Sequence, residues 1–444
     1  MLLDRFLSLN SLLKSKIGHE TLGSMGLKIS STGLMFVSTV VLARTLGPAD
    51  FGIYAYVYGL VSLLSIPSQF GLPALVVRET AQGMAQKEYS FVNGIWRWSG
   101  LMTGLISLAV LILAGGFILI FKEPLSGKRL ETFIWGLALV PLIALGNLRG
   151  AALRGLGKIV VGQLPEFFIR PALFVFLLIG SICLGSVAFS PALAMEIYVV
   201  ASALAFGAGV WFLGRATPMS VSQGVPHFKH RAWLLSALPL AFIGAMGLIN
   251  QQASILLQGF FLTDAEIGLF RVATQVSALA SFGLMAINTV VAPRFATLFA
   301  QGEINKIQQL ATKSAQVILI FNLVITFGFA LLGKTLLRLF FGSSFISAYI
   351  PMLILLGGQV INSGVGSVGV LLNMTNHEKV TAKTLAFSAI LNIGLNLYLL
   401  PIYGIIGSAI ANVVSLASWN IMLWLAVRDN LGINSSAFIV KIKE

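Results

Sequence analysis

Residues 101–121 and 174–184 run almost without a polar side chain, and stretches like them recur along the whole sequence. Runs of about 20 apolar residues match the ~30 Å hydrocarbon core of a bilayer. In that medium the backbone must satisfy its own hydrogen bonds, which leaves helices or closed barrels. Runs this long and uninterrupted are helical, because barrel strands are shorter and alternate. The composition agrees, with 57% hydrophobic and 10% charged residues against roughly 25% charged in soluble domains. The expected fold is therefore all-α and integral to the membrane.

Twelve spans are expected, near 24–43, 51–72, 98–121, 132–148, 164–185, 191–213, 233–255, 267–290, 315–333, 349–372, 384–401 and 405–427. Upstream, Leu2, Phe6, Leu9, Leu13 and Ile17 recur at helical spacing among basic residues, the pattern of an interfacial amphipathic helix. That segment lacks the apolar core of a cleavable signal peptide. The single cysteine, Cys183, lies in an apolar run and reads as a packing residue.

A net charge of +14 on a soluble chain would suggest nucleic acid. Here the basic residues lie in short loops, where they are a topology signal. With the N-terminus inside, 20 of the 29 lysines and arginines fall on cytoplasmic segments and 6 on the opposite side, with Lys28, Arg170 and Arg271 inside spans. Both termini are expected in the cytoplasm, with no nucleic-acid partner. The longest loops, 73–97, 214–232 and 291–314, are too short to hold a catalytic domain.

The chain repeats itself. Gly47-Pro48-Ala49-Asp50-Phe51-Gly52-Ile53-Tyr54 recurs 216 residues later as Thr263-Asp264-Ala265-Glu266-Ile267-Gly268-Leu269-Phe270. The same offset pairs Arg78 with Arg294, at the ends of spans two and eight. An offset of 213 pairs Trp211 with Trp424 and Arg215 with Arg428, at the ends of spans six and twelve. Two halves of six spans run parallel about an axis along the membrane normal. The expected organisation is a cytoplasmic or interfacial segment 1–22, a six-helix lobe 23–213, a cytoplasmic linker 214–232, a second six-helix lobe 233–427 and a cytoplasmic tail 428–444.

Polar side chains concentrate on spans one, two, seven and eight, the first two of each half. Lys28 and Ser31 share a helical face with Ser24 and Ser38 on span one, and span two carries Tyr54, Tyr58, Ser62, Ser65 and Gln69 along a stripe. Span seven has Asn250, Gln251, Ser254 and Gln258, and span eight has Arg271, Thr274, Gln275, Ser281 and Asn288. Such groups are costly against lipid and point to a hydrated cavity, although hydroxyl stripes also serve helix packing. Lys28 and Arg271 are the expected cavity cations, with snorkelling to headgroups as the alternative. Arg78, Arg149, Arg154 and Arg294 read first as topology markers, with Arg78 and Arg294 placed to meet a phosphate headgroup. The spacing of Glu166 and Arg170 predicts that they neutralise each other on span five. Glu196 is a candidate coupling site. Asn392, Asn396 and Asn412 are expected to glue helices.

No GxxxxGK[ST] phosphate loop, metal-ligand spacing or Asp-x-Asp pair is present, so neither a metal site nor a cofactor is expected and no enzyme machinery is evident. The run Leu42-Ala43-Arg44-Thr45-Leu46-Gly47-Pro48-Ala49-Asp50-Phe51-Gly52-Ile53-Tyr54 resembles the first outer loop of the polysaccharide transporter family, the Wzx-type flippases. These belong to the multidrug/oligosaccharidyl-lipid/polysaccharide exporter superfamily, with the lipid II flippases and MATE drug exporters. Gly71-Leu72-Pro73 with Arg78, and Pro401-x-Tyr403-Gly404-Ile405-x-Gly407-Ser408-Ala409, extend the resemblance across the chain. It implies two six-helix lobes related by a pseudo-twofold axis, with alternating access to a cavity lined by spans one, two, seven and eight. The implied substrate is an undecaprenyl-diphosphate-linked oligosaccharide, an O-antigen or exopolysaccharide unit, crossing a bacterial inner membrane. Membrane lipids and a polysaccharide polymerase or chain-length system are the implied partners. A MATE-like exporter of small cations and a membrane glycan polymerase or ligase remain alternative readings.

Overall fold

The computed structural model describes residues 16–120, 127–185 and 189–438. The amphipathic reading of residues 1–15 lies outside them. Helices make up nearly all of what is described: α1 (Lys16–Gln69), α2 (Leu72–Ala85), α3 (Tyr89–Ile120), α4 (Lys128–Leu137), α5 (Leu139–Gly155), α6 (Ile159–Leu164), α7 (Arg170–Leu184), α8 (Pro191–Ala216), α9 (Met219–Ser222), α10 (His230–Phe261), α11 (Asp264–Ala300), α12 (Ile304–Phe341), α13 (Tyr349–Val365), α14 (Val368–Met374) and α15 (Glu378–Leu431). A π-turn, Pro165–Ile169, joins α6 to α7, and a 3₁₀ turn, Ser343–Ala348, precedes α13.

Ten helical segments among the described residues are long and apolar enough to cross a membrane. Two of them are double. α1 and α15 hold 54 residues each, about 80 Å of continuous helix, far more than one bilayer needs. Each is broken at a glycine with positive φ, Gly47 (71°) and Gly404 (57°). The breaks fall between expected spans one and two and between spans eleven and twelve, so ten segments make twelve crossings. The chain is a multi-pass α-helical membrane protein.

The expected loops differ from the structure in one respect. Residues 73–97 and 291–314 are mostly helix, because α2 fills the first and α11 and α12 run through the second with a turn only near 301–303. The reason is visible in α2, which buries Leu72, Leu75, Val76, Thr80 and Gly83 on one helical face. An amphipathic helix satisfies its backbone in the headgroup region better than an irregular loop does. The start of α11 is fixed locally. Thr263 Oγ1 accepts from the Glu266 amide (3.4 Å), and Glu266 Oε2 accepts from the Thr263 amide (3.0 Å), a reciprocal capping box.

The described residues gather into two compact units, one within 1–38 and 60–245 and one within 39–59 and 246–444. These units are defined by contact and are not the segments of the sequence repeat. Residues 39–59 pack with the second unit, and the start of α10 packs with the first. In the first unit Trp233, 2% exposed, joins Leu75, Ile95 and Trp98 in one apolar cluster. Gly71 lets α10 approach so closely that a Cβ there would lie 2.4 Å from the Ala241 amide nitrogen.

The second unit contains an unexpected strap. After α15 the chain continues extended, and Ile433 is 1% exposed in a cluster with Phe295, Ile307 and Leu423. Asn434 exchanges backbone hydrogen bonds with the Gln308 side chain and accepts from Trp424 Nε1 (2.9 Å). The Ala437 amide donates to Gly364 O (2.8 Å), and Ala437 O accepts from Gln316 Nε2 (3.3 Å). Gln308 and Gln316 stand two turns apart on one face of α12, so that face satisfies an extended backbone that has no strand partner. The expected cytoplasmic tail thus begins as part of the second unit.

Candidate functional site

Helix geometry disposes of many of the polar groups noted in the sequence. Thr32 donates to Lys28 O (3.0 Å), Ser38 to Met35 O (2.8 Å) and Ser65 to Ser62 O (2.7 Å). On α11, Thr274, Ser277 and Ser281 each donate to a carbonyl three residues back, at 2.8, 2.9 and 2.6 Å. These hydroxyls satisfy themselves within their own helices. The longer side chains and the charges differ from one another in what they meet.

In the first unit, Lys28 is half-buried on α1 and Ser31 is buried one turn on. Gln69, at the end of α1, bonds back to Ser65 and accepts from Asn147 Nδ2 on α5 (2.9 Å). Arg78 is exposed and pairs with its neighbour Glu79 (2.8 Å). Glu196 is half-buried in the first turns of α8. In the second unit, the rings of Tyr54 and Tyr58 stack with centroids 6.4 Å apart and planes 11° from parallel. Arg271 is half-buried, Gln275 is buried one turn further along the same face of α11, and Arg294 is half-buried near its far end. Gln251 is exposed. Among the described residues, neither the Lys28 ammonium nor the Arg271 guanidinium has a side-chain or backbone partner.

Gln258 differs from the rest. It has no exposed surface and donates to Ser408 Oγ (2.9 Å), which donates to Asn396 Oδ1 (2.6 Å). Asn396 Nδ2 reaches Ser254 Oγ (3.2 Å), Ser254 Oγ lies 3.0 Å from Asn412 Oδ1, and Asn392 Nδ2 donates to Asn412 Oδ1 (2.8 Å). This network of neutral amides and hydroxyls ties α10 to both limbs of α15 inside the second unit. The three asparagines therefore bind helices to one another, as their span positions suggested.

The reading of one charged residue needs correction. Arg149 is no loop marker: it is 5% exposed, and its Nη2 forms an ion pair with Glu166 Oε1 at 2.5 Å. Its Nη1 donates to the carbonyls of Ala205 (3.4 Å) and Phe206 (3.2 Å) on α8. Glu166 thus has an ion-pair partner on another helix, Arg149, while Arg170 also acts on it electrostatically and lies with its guanidinium over the Tyr198 ring (5.7 Å). Glycines make the room. A Cβ at Gly209 would fall 0.9 Å from Arg149 Nη1, and one at Gly146 would fall 3.0 Å from Glu166 Oε1. The sequence signal was the set of small residues, Gly146, Gly150, Gly162 and Gly209, on three helices around a pair of opposite charges.

Among the described residues no three His, Cys, Asp or Glu side chains come together as metal ligands. What the two units offer is hydrogen bonding, aromatic faces and isolated positive charge.

Comparison with solved structures places the architecture. A multidrug resistance MATE family transporter of the MOP superfamily, in an inward-facing conformation, superposes with a TM-score of 0.74 at 12% identity, covering 93% of this chain and 98% of that one. The lipid II flippase MurJ, in an inward closed conformation, gives 0.73 at 15% identity, covering 90% and 86%. The fold is that of the multidrug/oligosaccharidyl-lipid/polysaccharide exporters. The chain belongs to the polysaccharide biosynthesis protein family, whose model matches residues 18–299. Two relatives come from Haloferax volcanii. The probable low-salt glycan biosynthesis flippase Agl15 is 25% identical over 395 residues, 88% of this chain and 79% of its own length. The probable flippase AglR is 22% identical over 423 residues, 93% and 83%.

Proposed function

We propose that this protein is a flippase that carries a lipid-linked oligosaccharide from the cytoplasmic to the outer leaflet, working as a transporter rather than an enzyme. The observation that carries this reading is the pair of half-buried cations in the spans, Lys28 and Arg271, which have no partner among the described residues. A charge inside a bilayer is expensive and is retained for a reason, and a phosphate-bearing headgroup is the complementary ligand. Ser31, Tyr54, Tyr58, Gln69, Gln251 and Gln275 are the proposed sugar contacts, since stacked rings and amides suit a glycan. Gln258 is left out, because its side chain is enclosed and used. Arg78 and Arg294 are proposed to receive the headgroup at the cytoplasmic ends, and Glu196 to serve coupling.

Family membership and two relatives named as flippases support this class of substrate. The finer proposals rest on the resemblance of the Leu42–Tyr54 segment: an undecaprenyl diphosphate carrier, an O-antigen or exopolysaccharide unit, and a bacterial inner membrane with both termini in the cytoplasm. Two six-helix lobes, 23–213 and 233–427, and cooperation with a polymerase or chain-length system belong to the same proposal. Outward movement of an anion is helped by an inside-negative potential, by about 2.3 kcal/mol per charge per 100 mV. The MATE-like alternative wants a cavity carboxylate, and Glu196 is the candidate that the sequence offers for it.

The test is sidedness. In cells lacking the protein, the lipid-linked glycan should accumulate where a membrane-impermeant lectin reaches it only in inside-out vesicles. Equal access in right-side-out vesicles from the same cells would overturn the proposal.

A further inference from the structure

The segment that most identifies the family, Leu42–Tyr54, contributes only Tyr54 to the proposed substrate contacts. We propose that Arg44–Gly59 has a separate role as a latch that holds the outer ends of the two halves together, with Gly52 and Gly268 as its meeting point. This rests on the alternating-access reading and on the charge-derived topology, which puts this hairpin outside.

The meeting is reciprocal. A Cβ at Gly52 would lie 1.7 Å from Asp264 O and 2.9 Å from the Gly268 nitrogen. A Cβ at Gly268 would lie 2.2 Å from Pro48 O and 3.1 Å from the Gly52 nitrogen. Pro48 corresponds to Asp264, and Gly52 to Gly268, at the same 216-residue offset. Each glycine thus faces the turn that opens the other's helix, and two related hairpins touch backbone to backbone through equivalent positions. No residue with a side chain permits that approach at either place.

The contacts around it all join 39–59 to residues 246–444, within the second unit. The Arg44 guanidinium donates to the carbonyls of Leu339 and Phe340 (2.7 Å for the latter), in the last turn of α12, where a cation also meets the negative end of the helix dipole. Phe51 packs edge-on against Phe345, with centroids 6.3 Å apart. Tyr56 lies so close over Gly259 that a Cβ there would be 2.0 Å from its ring. Residues 51–57 are buried without interruption, although 39–59 belong by sequence to the first half. Gly47, at φ 71°, supplies the turn. The Gly52–Gly268 and Arg44 contacts at the outer turns must part when the outer side opens, so their strength sets how often it does.

The test reads exposure, separately from transport. Cys183 is replaced by Ser, and a single cysteine is placed at Ala55, which is 3% exposed. In intact cells a membrane-impermeant maleimide added outside should label this protein slowly. Adding Gly52→Val should raise the labelling rate about tenfold, equivalent to 1.4 kcal/mol taken from the closed state. Arg44→Gln, at an exposed position that leaves packing intact, should move it the same way by a smaller factor. If Gly52→Val fails to accumulate, Arg44→Gln alone decides, and an unchanged rate in the folded variant overturns the latch. An unchanged rate alongside normal glycan flipping would sink the latch and spare the transport reading. Raised labelling in a protein that flips nothing would do the reverse.

Discussion

Arg149→Ala is expected to lower stability by about 3 kcal/mol or somewhat more, the cost of leaving one partner of a buried ion pair alone. Three losses combine. Glu166 loses the guanidinium that holds it, the carbonyls of Ala205 and Phe206 lose their donor, and the space Gly209 keeps open becomes a cavity. Arg154 and Arg170 remain within electrostatic reach of Glu166, which keeps the expected cost at the low end of the range. Arg149→Lys should fall between, because an ammonium cannot span a carboxylate and two carbonyls in the guanidinium's fixed plane. The double change Arg149→Met with Glu166→Leu should recover most of the loss, since an apolar pair of similar volume avoids the desolvation of both charges. Thermal unfolding in detergent measures all three. A single variant as stable as the parent would show that the pair is incidental to the first unit.

Lys28→Ala with Arg271→Ala should have the opposite signature, with normal insertion and melting but no surface glycan. Neither side chain has a partner among the described residues, so removing them orphans nothing. Hydrogen bonds to charged groups are worth about 1.5–3 kcal/mol each, so losing even one such contact to a diphosphate would cut export by at least about tenfold. Surface glycan blots, alongside protein level, give the answer. Normal glycan would mean that both cations only snorkel to headgroups. The two experiments together separate a cation that has a partner, and holds helices, from one that has none and awaits a ligand.

The spans are legible in the sequence because hydrophobic run length answers directly to bilayer thickness, and Gly47 and Gly404 fall where two runs had to be divided. The Arg149–Glu166 pair is not legible. Sequence spacing on a helix favours partners four residues apart, which points Glu166 to Arg170, but both sit at the π-turn Pro165–Ile169, where i→i+5 bonding shifts the face. The ion-pair partner Arg149 is on another helix, and no one-dimensional period reports it. The hydroxyls Ser38, Thr274, Ser277 and Ser281 on spans one and eight turn inward to their own helices' carbonyls, a choice made by local backbone geometry, whereas Ser24 donates to Gln163. The strap at Ile433–Ala437 reads as tail because its hydrogen bonds come from side chains on α12 and leave no periodic trace. The repeat, by contrast, carries more than symmetry, since the aligned Gly52 and Gly268 prove to be the two sides of one contact.

The central claim is transport of a lipid-linked glycan, and purified protein in liposomes tests it most directly. A fluorescent polyprenyl-diphosphate oligosaccharide placed in one leaflet should cross to the other faster than in protein-free liposomes. The rate should rise when the potential favours movement of the anion, and it should fall to background with Lys28→Ala and Arg271→Ala. Crossing no faster than in protein-free liposomes, with protein confirmed folded, would contradict the account.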